Sequence, residues 1–225
     1  MSEHHASSHV AHQFDDAIQQ QESSTLGMWV FLVTEIMFFG GLILAYTVYR
    51  ASDQFNMAFH HASQSLDIWL GGVNTCVLLV SSLTMALAVR AAQVGRKKQL
   101  IGFIIFTMIL GTAFLVVKYF EYSHKFHEGW VPGPGFAYPE PKAEMFFNLY
   151  FALTGLHAFH MVIGLGLMFW LLKRSIKGDF SPAYYNPVEM GGLYWHFVDI
   201  VWIFLFPLLY LIDRSAPVAG ALMSH

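Results

Sequence analysis

Five long apolar stretches constrain the fold of this chain more than any other feature of its sequence. Each is close to the ~20 residues that an α-helix needs to cross a bilayer, and each is rich in Leu, Phe, Val, Ile and Met. Inside lipid, backbone N–H and C=O groups find no water to bond, so such segments are expected to be helices rather than strands. The sequence therefore predicts an all-α fold, an integral membrane bundle of five transmembrane helices at about residues 26–49, 68–89, 100–120, 145–172 and 190–212.

The remaining segments are short and divide the chain simply. We predict a polar N-terminal tail at 1–25, a five-helix domain at 26–213 and a short C-terminal tail at 214–225. The link at 129–141 reads GWVPGPGFAYPEP, and its prolines and glycines exclude a helix there. The first 25 residues contain no Lys or Arg, whereas a cleavable signal peptide starts with a basic segment. No such peptide is predicted.

The composition supports a lipid-facing surface and excludes one class of partner. Charged residues make up 12% of the chain, about half of what a soluble domain carries. The net charge of −3 argues against nucleic acid, because binding to phosphates needs a basic face. The single cysteine, Cys76, excludes an internal disulfide. Because Cys76 lies in an apolar run, it is expected to be a small buried hydrophobe.

Basic residues are distributed unevenly between the two ends of the predicted helices. Seven flank the second and fourth links, and four flank the opposite side. Cytoplasmic loops are enriched in Lys and Arg, so the N-terminus is predicted to lie in the cytoplasm and the C-terminus outside. The seven are Arg90, Arg96, Lys97, Lys98, Lys173, Arg174 and Lys177; the four are Arg50, Lys125, Lys142 and Arg214.

Glu35 is the most informative single residue, because it lies near the middle of the first apolar stretch. A carboxyl at the bilayer centre is costly and is a functional candidate by default. Desolvation favours its protonated form, which predicts a proton-related role or reaction with a hydrophobic carbodiimide. The alternative is a structural carboxyl that is hydrogen-bonded to a neighbouring helix.

Two pairs of polar residues recur at helical spacing in the later spans. His157 and His160 share one face of the fourth span, where they could hold a metal. Hydrogen bonds to other helices or to lipid headgroups are the favoured interpretation. His196 and Asp199 have the same i, i+3 spacing, which predicts a structural pair in which the carboxylate orients the imidazole.

Charged residues and histidines elsewhere offer weaker candidates. Lys118 and Glu121 are predicted to form an ion pair near the end of the third span, with a proton relay as the alternative. The tail histidines could bind metal loosely, although a solvated or docked tail is favoured; they are His4, His5, His9 and His12. No motif of a self-sufficient catalytic site is present, so no catalytic or metal-ligating residue is assigned.

Several of these residues lie in segments that resemble subunit III of the haem-copper terminal oxidases. LGMWVFLVTEIMFFGGLILAY is similar to the family helix with a carbodiimide-reactive glutamate, which falls on Glu35. GLHAFHMVIG resembles the family's G-x-H-x-x-H motif, and YWHFVDIVWIFLF resembles its last helix. The last two segments place Gly155, His157, His160, Trp195, His196, Asp199 and Trp202.

Two further segments complete the resemblance in the same order along the chain. NTCVLLVSSLTMALA matches a family helix that opens with Asn, here Asn74, and KYFEYSHKFHEG matches a segment with a Glu-Tyr pair, here Glu121 and Tyr122. The five segments lie between Leu26 and Phe206, and the resemblance covers nearly all of the chain from Leu26 to Ile212. Mitochondrial-type members have seven helices, and this chain lacks room for the first two, so it is similar to the shorter, five-helix bacterial form.

The resemblance implies an accessory subunit without a redox centre. Its partners would be subunit I, which carries haems and copper, subunit II and a small subunit IV, in a bacterial plasma membrane. The family supports sustained turnover of a proton-pumping oxidase that reduces dioxygen to water, and it is thought to assist oxygen or proton delivery. The electron donor stays open between cytochrome c and quinol.

Three alternatives remain open from the sequence. The first is an accessory subunit of a nitric oxide reductase. The second is a haem-bearing redox protein with His157 or His160 and His196 as axial ligands. The third is a proton-coupled transporter that uses Glu35.

The resemblance also implies a bound phospholipid, in a cleft between the first span and the later ones. Its headgroup and chains would use aromatic, polar and glycine-lined positions in otherwise apolar helices, with ordinary helix packing as the alternative. These positions are Trp29, His157, His160, Trp195, His196, Gly40, Gly41, Gly164 and Gly166.

Overall fold

The described residues, 14 and 16–211 of a computed structural model, form six α-helices. Five are long and apolar enough to cross a membrane, which confirms the predicted fold class. Residues 1–13, 15 and 212–225 lie outside the described residues, and they include the candidate metal ligands His4, His5, His9 and His12. The helices are α1 (Ala17–Ala51), α2 (Asn56–Gln64), α3 (Ile68–Gln93), α4 (Lys97–His127), α5 (Ala143–Lys177) and α6 (Asn186–Phe206), and α6 continues as a π-helical turn (Pro207–Leu211).

The helices extend past the predicted spans because polar caps and polar turns prolong them beyond the apolar stretches. In α1 the carboxylate of Asp16 accepts a hydrogen bond from the N–H of Gln19 at 2.7 Å, so residues 17–25 of the predicted tail are helical. Asp67 caps α3 by accepting from the N–H groups of Trp69 and Leu70. The short helix α2 was not predicted, because nine residues carry too little periodicity to distinguish a helix from a loop.

Helices α3, α4, α5 and α6 form a four-helix bundle in which each packs against the next and α6 closes against α3. Small residues allow these helices to approach closely. The indole of Trp195 in α6 lies between two of them: a Cβ added to Gly111 would stand 2.6 Å from Cη2 of Trp195, and one added to Gly164 would stand 3.0 Å from Cε3. Gly164 therefore serves helix packing and not a lipid chain.

Helix α1 lies outside this bundle and packs against α5, α6 and α2. Only 11% of its most apolar 18-residue stretch is buried. The buried side chains of α1 are spaced seven residues apart, at Leu32, Phe39 and Tyr46, and they form a single narrow seam along one face. Most of the remaining α1 surface between Leu26 and Tyr49 is apolar and exposed, as expected for a helix that faces lipid or another chain.

Candidate functional site

The carboxyl of Glu35 lies at the seam between α1 and the four-helix bundle. Its Oε2 is 3.0 Å from Nε2 of His160 in α5, and the two side chains are 18% and 8% exposed. The other ring nitrogen of His160, Nδ1, lies 2.9 Å from the backbone oxygen of Leu156. The structure thus joins two residues that the sequence suggested separately, and His160 hydrogen-bonds another helix as predicted.

The protonation of this pair follows from hydrogen-bond chemistry. A carbonyl oxygen only accepts, so Nδ1 of His160 must carry a proton to bond Leu156. Nε2 then either accepts from a protonated Glu35 or donates to its carboxylate. In both cases one proton lies between the two side chains. The two side chains can therefore share one proton near the middle of the membrane span. They do so either as a carboxylic acid and a neutral imidazole or as a carboxylate and an imidazolium.

Aromatic side chains surround the Glu35–His160 pair. The ring of Phe39, one turn beyond Glu35 in α1, lies 5.3 Å from the ring of His160. The hydroxyl of Tyr194 in α6 donates to the backbone oxygen of His160 at 3.0 Å, and the ring of Tyr194 stacks on Phe31 at 6.0 Å. These contacts fix the imidazole between three helices.

A long apolar cleft opens beside this pair, between α1 and α6, with a volume of about 420 Å³. Trp29 lies at one end and is 57% exposed. His196 is a polar residue on the α6 wall, and Gly40 lies on the α1 wall with nothing within 4 Å of a Cβ. Its full lining is Trp29, Leu32, Ile36, Phe39, Gly40, Ile43, Leu193, His196, Phe197, Ile200, Val201 and Phe204. The cleft predicted between the first and later spans is therefore present.

The predicted pairing of His196 with Asp199 is wrong. Nδ1 of His196 instead lies 2.7 Å from the hydroxyl of Ser82 in α3. Asp199 is 2% exposed; the same Ser82 hydroxyl lies near its carboxyl, but among the described residues no donor reaches either oxygen with ordinary hydrogen-bond geometry. Helical spacing brought the two side chains to one face, but α3 packs against that face and supplies a nearer hydroxyl to the imidazole.

His157 and Trp195 are buried inside the four-helix bundle and do not reach the cleft. The ring of His157 lies 5.5 Å from Phe114 and 5.1 Å from Trp202, and neither nitrogen has a partner among the described residues. The hydrogen bond predicted for His157 is therefore wrong. The indole N–H of Trp195 donates to the Ser81 hydroxyl at 3.1 Å. Trp195 is thus a structural residue of the bundle, and neither residue lines the cleft between α1 and α6.

Lys118 and Glu121 form the predicted ion pair, at 2.8 Å, and both side chains are less than a tenth exposed. The structure adds two partners that the sequence did not reveal. The hydroxyls of Tyr150 and Tyr210 donate to Oε1 of Glu121 at 2.7 and 2.5 Å, and the ammonium of Lys118 lies 4.4 Å from the ring of Trp202. We refer to Lys118, Glu121, Tyr150 and Tyr210 as the α4 charge cluster; it joins α4, α5 and the π-helical end of α6.

The link at 129–141 folds back as an aromatic cap over this end of the bundle. Lys125 is only 3% exposed, and its ammonium lies 5.3 Å from the ring of Trp130 and 5.5 Å from that of Tyr150. The sequence analysis treated Lys125 as a surface charge; its burial could not be predicted because its partners come from the 129–141 link and from α5. Burial raises the pKa of Tyr138 in this cap, so its hydroxyl stays neutral.

Two further expectations were tested by the fold. Cys76 is exposed on the lipid-facing side of α3, so the expectation of a buried cysteine was wrong.

Within the part of the chain that the structure describes, no three His, Cys, Asp or Glu side chains converge as a metal site would require. His160 commits both ring nitrogens to Glu35 and Leu156, which leaves neither for an axial bond to haem.

The sequence alone did not identify the hydroxyl partners of these sites. A Lys–Glu pair in an apolar helix indicates that buried donors must lie nearby, and this signal predicts the existence of residues such as Tyr150 and Tyr210. It does not say which tyrosines they are, because that depends on which helices pack together. Ser82 and Tyr194 were missed for the same reason.

These features define a class: a multi-pass helical membrane protein whose polar side chains hold helices together and whose apolar surfaces face lipid or other subunits. A sequence profile described as cytochrome c oxidase subunit III matches residues 7–213. The chain belongs to this family, and it is an accessory subunit of a multi-subunit haem-copper oxidase.

Individual relatives agree with that assignment. The chain is 32% identical over 197 residues to cytochrome c oxidase subunit 3 of Corynebacterium diphtheriae, across 88% of this chain and 92% of the relative. It is 29% identical to quinol oxidase subunit 3 of Bacillus subtilis, across 90% and 96%. It is 28% identical to cytochrome c oxidase subunit 3 of Papio hamadryas, across 84% of this chain and 70% of that relative.

Proposed function

We propose that this chain supports sustained turnover of a proton-pumping oxidase that reduces dioxygen to water, and that it does so without a catalytic or redox centre of its own. Its contribution is a phospholipid held in the α1–α6 cleft. The observation that carries the proposal is the Glu35–His160 bond, which fastens α1 to the bundle beside an apolar cleft of about 420 Å³.

The walls of the cleft suit the acyl chains of a phospholipid. They are almost entirely aliphatic and aromatic, and burying apolar chains against them is favourable relative to water. Trp29 at one end matches the interfacial position that Trp prefers in membranes. The apolar α1–α6 cleft also suits dioxygen, an uncharged molecule that partitions into lipid.

The assembly would place this chain beside subunit I, the haem- and copper-bearing chain, with subunit II and a small subunit IV, in a bacterial plasma membrane. The N-terminus would be cytoplasmic and the C-terminus outside. Support for this orientation comes from the basic residues at the α3–α4 and α5–α6 ends. Burial of Lys125 removes one charge from the opposite surface, which increases the asymmetry of exposed charge.

Filling the cleft tests the proposal. Gly40 lines the cleft and Gly41 does not, and both have open space beside their backbone. Gly40→Leu should leave the initial oxidase rate nearly intact, shorten the time before activity decays during turnover, and reduce the phospholipid that co-purifies. Gly41→Leu is the matched control and should behave as the native chain does. Added phospholipid should restore a delipidated native complex but not Gly40→Leu.

Three results would contradict the proposal. Equal decay in Gly40→Leu and Gly41→Leu would remove the cleft as the cause. An immediate loss of the initial rate with normal haem content would indicate direct chemistry in this chain. A haem absorption band in the isolated chain would favour the redox alternative.

The second candidate is the accessory subunit of a quinol oxidase or a nitric oxide reductase. The name of the Bacillus subtilis relative favours the quinol form. Purifying the native assembly through this chain and assaying it with reduced cytochrome c, with quinol and with nitric oxide separates the three.

A further inference from the structure

A second pocket, which shares no lining residue with the α1–α6 cleft, lies where α3 turns into α4. Its volume is about 310 Å³. Arg90 and Arg96 supply two guanidinium groups, and Leu87 and Phe103 supply apolar walls. We call this the α3–α4 pocket; it is lined by Leu87, Arg90, Ala91, Val94, Arg96, Gln99 and Phe103.

Within the described residues, 14 and 16–211, no carboxylate pairs with the positive charge of this pocket. No Asp or Glu occurs in the sequence between Asp67 and Glu121. Among residues 16–211, no carboxylate forms an ion pair with either arginine. The bond that the structure gives Arg96 is a long one, 3.5 Å, to the amide oxygen of Gln99. Both guanidinium groups are therefore available to an anion.

The depth of the pocket places it at the lipid headgroups. Ile68 to Arg90 spans about 33 Å along α3 at the helical rise of about 1.5 Å per residue, slightly more than the ~30 Å hydrocarbon core. Leu87 lies one turn below Arg90 on the bilayer side, and Leu83, a further turn below, is 60% exposed. A charged opening thus leads directly onto an apolar, lipid-facing strip.

We propose that the α3–α4 pocket binds a phospholipid with an anionic headgroup. Planar guanidinium groups bond phosphate oxygens in pairs, and basic pockets between transmembrane helices on the cytoplasmic side suit anionic headgroups. The apolar wall selects a lipid over a free phosphate, because a free phosphate has nothing to place against Leu87 and Phe103. Placing the pocket on the cytoplasmic side rests on the orientation proposed above, but the pocket shares no lining residue with the α1–α6 cleft and does not depend on a lipid bound there.

Lipid binding by the native assembly tests this site. The assembly is exchanged into nanodiscs or micelles with phosphatidylglycerol or phosphatidylcholine of identical chains, and retained lipid is counted by native mass spectrometry. The probe variant is Arg90→Gln with Arg96→Gln. The control is Lys173→Gln with Lys177→Gln, which removes equal charge from the same end of the bundle, outside the pocket. Haem content checks that each assembly is intact.

The native assembly should retain phosphatidylglycerol in preference to phosphatidylcholine. The arginine double variant should lose about 25-fold of that preference, because each basic side chain at a membrane surface contributes about fivefold. The lysine double variant should change it by about fivefold or less. Glycerophosphate, which carries the phosphate but no acyl chains, should compete poorly with phosphatidylglycerol for the α3–α4 pocket.

Three results would overturn the proposal. If both double variants lost the preference for phosphatidylglycerol equally, that preference would come from the overall positive charge of this end of the bundle and not from the α3–α4 pocket. Unchanged retention in the arginine variant would mean that the pocket is empty or covered by another subunit. Competition by glycerophosphate as strong as that by the lipid would mean that the apolar wall contributes nothing and that the ligand is a free phosphate.

Discussion

The α4 charge cluster makes a strong prediction about stability, because its charges are paired with one another inside the protein. Glu121 accepts hydrogen bonds from Lys118, Tyr150 and Tyr210 at 2.5–2.8 Å. Glu121→Gln keeps the size of the side chain but removes the negative charge. It leaves the ammonium of Lys118 buried without a counter-ion, which costs about 3–5 kcal/mol when one member of a buried pair is removed.

This free energy is large enough to measure in the thermal transition of the assembled protein. For a chain of this size, each kcal/mol lowers Tm by about 2–4 °C, so Glu121→Gln should lower it by roughly 6–20 °C. Lys118→Met alone should also destabilise, because it leaves the carboxylate unpaired. The double variant with both substitutions should recover at least half of the loss, since a neutral pair has no unpaired charge.

The double-mutant cycle decides whether the reasoning is right. If the two single losses simply add in the double variant, the ion pair contributes no coupling and the cluster is held by packing. Lys98→Gln, a lysine at the exposed end of the same helix, is the control and should change Tm by about 1–2 °C at most.

Three further predictions follow from the same structure. A hydrophobic carbodiimide should label Glu35 in the native chain and not in Glu35→Gln; equal labelling of both would exclude this carboxyl. Gly111→Ala should destabilise the protein by about 1–3 kcal/mol because its Cβ would meet Trp195 at 2.6 Å. Gly102→Ala is the control and should be neutral or stabilising, because the space beside Gly102 is open. An unchanged thermal unfolding temperature in Gly111→Ala would disprove the close contact. Asp67→Ala should cost about 1 kcal/mol through loss of the cap on α3, and an unchanged Tm would show that water replaces it.

The number and approximate position of the spans could be predicted because bilayer thickness sets the length of an apolar helix. The ends were placed less well. Asp16 starts α1 ten residues before Leu26, since capping and hydrogen bonding extend a helix into polar sequence. The i, i+3 spacing of Lys118 and Glu121 also predicted their pairing correctly, because a local pair needs only the geometry of one helix.

Contacts between helices could not be predicted in the same way. Glu35 and His160 are each conspicuous, but 125 residues separate them, and pairing them requires knowing that α1 packs against α5. His196 shows the converse error, because its local partner Asp199 was preferred and the actual partner, Ser82, lies on α3. Residue spacing constrains which side chains share a face; it does not say what lies opposite that face.

The single seam of α1 has a consequence for how the protein is made. The first helix to leave the ribosome packs against α5 and α6, which are the last to be synthesised. At about 5–20 residues per second, roughly 6–25 s pass between the synthesis of Glu35 and that of His160. During that interval the carboxyl has no partner from its own chain, so we expect the insertion machinery to retain α1 until α5 arrives. Nascent chains arrested before His160 should crosslink to that machinery through α1, and chains arrested after α6 should not; crosslinks of equal strength at both lengths would show that Glu35 enters lipid unaided.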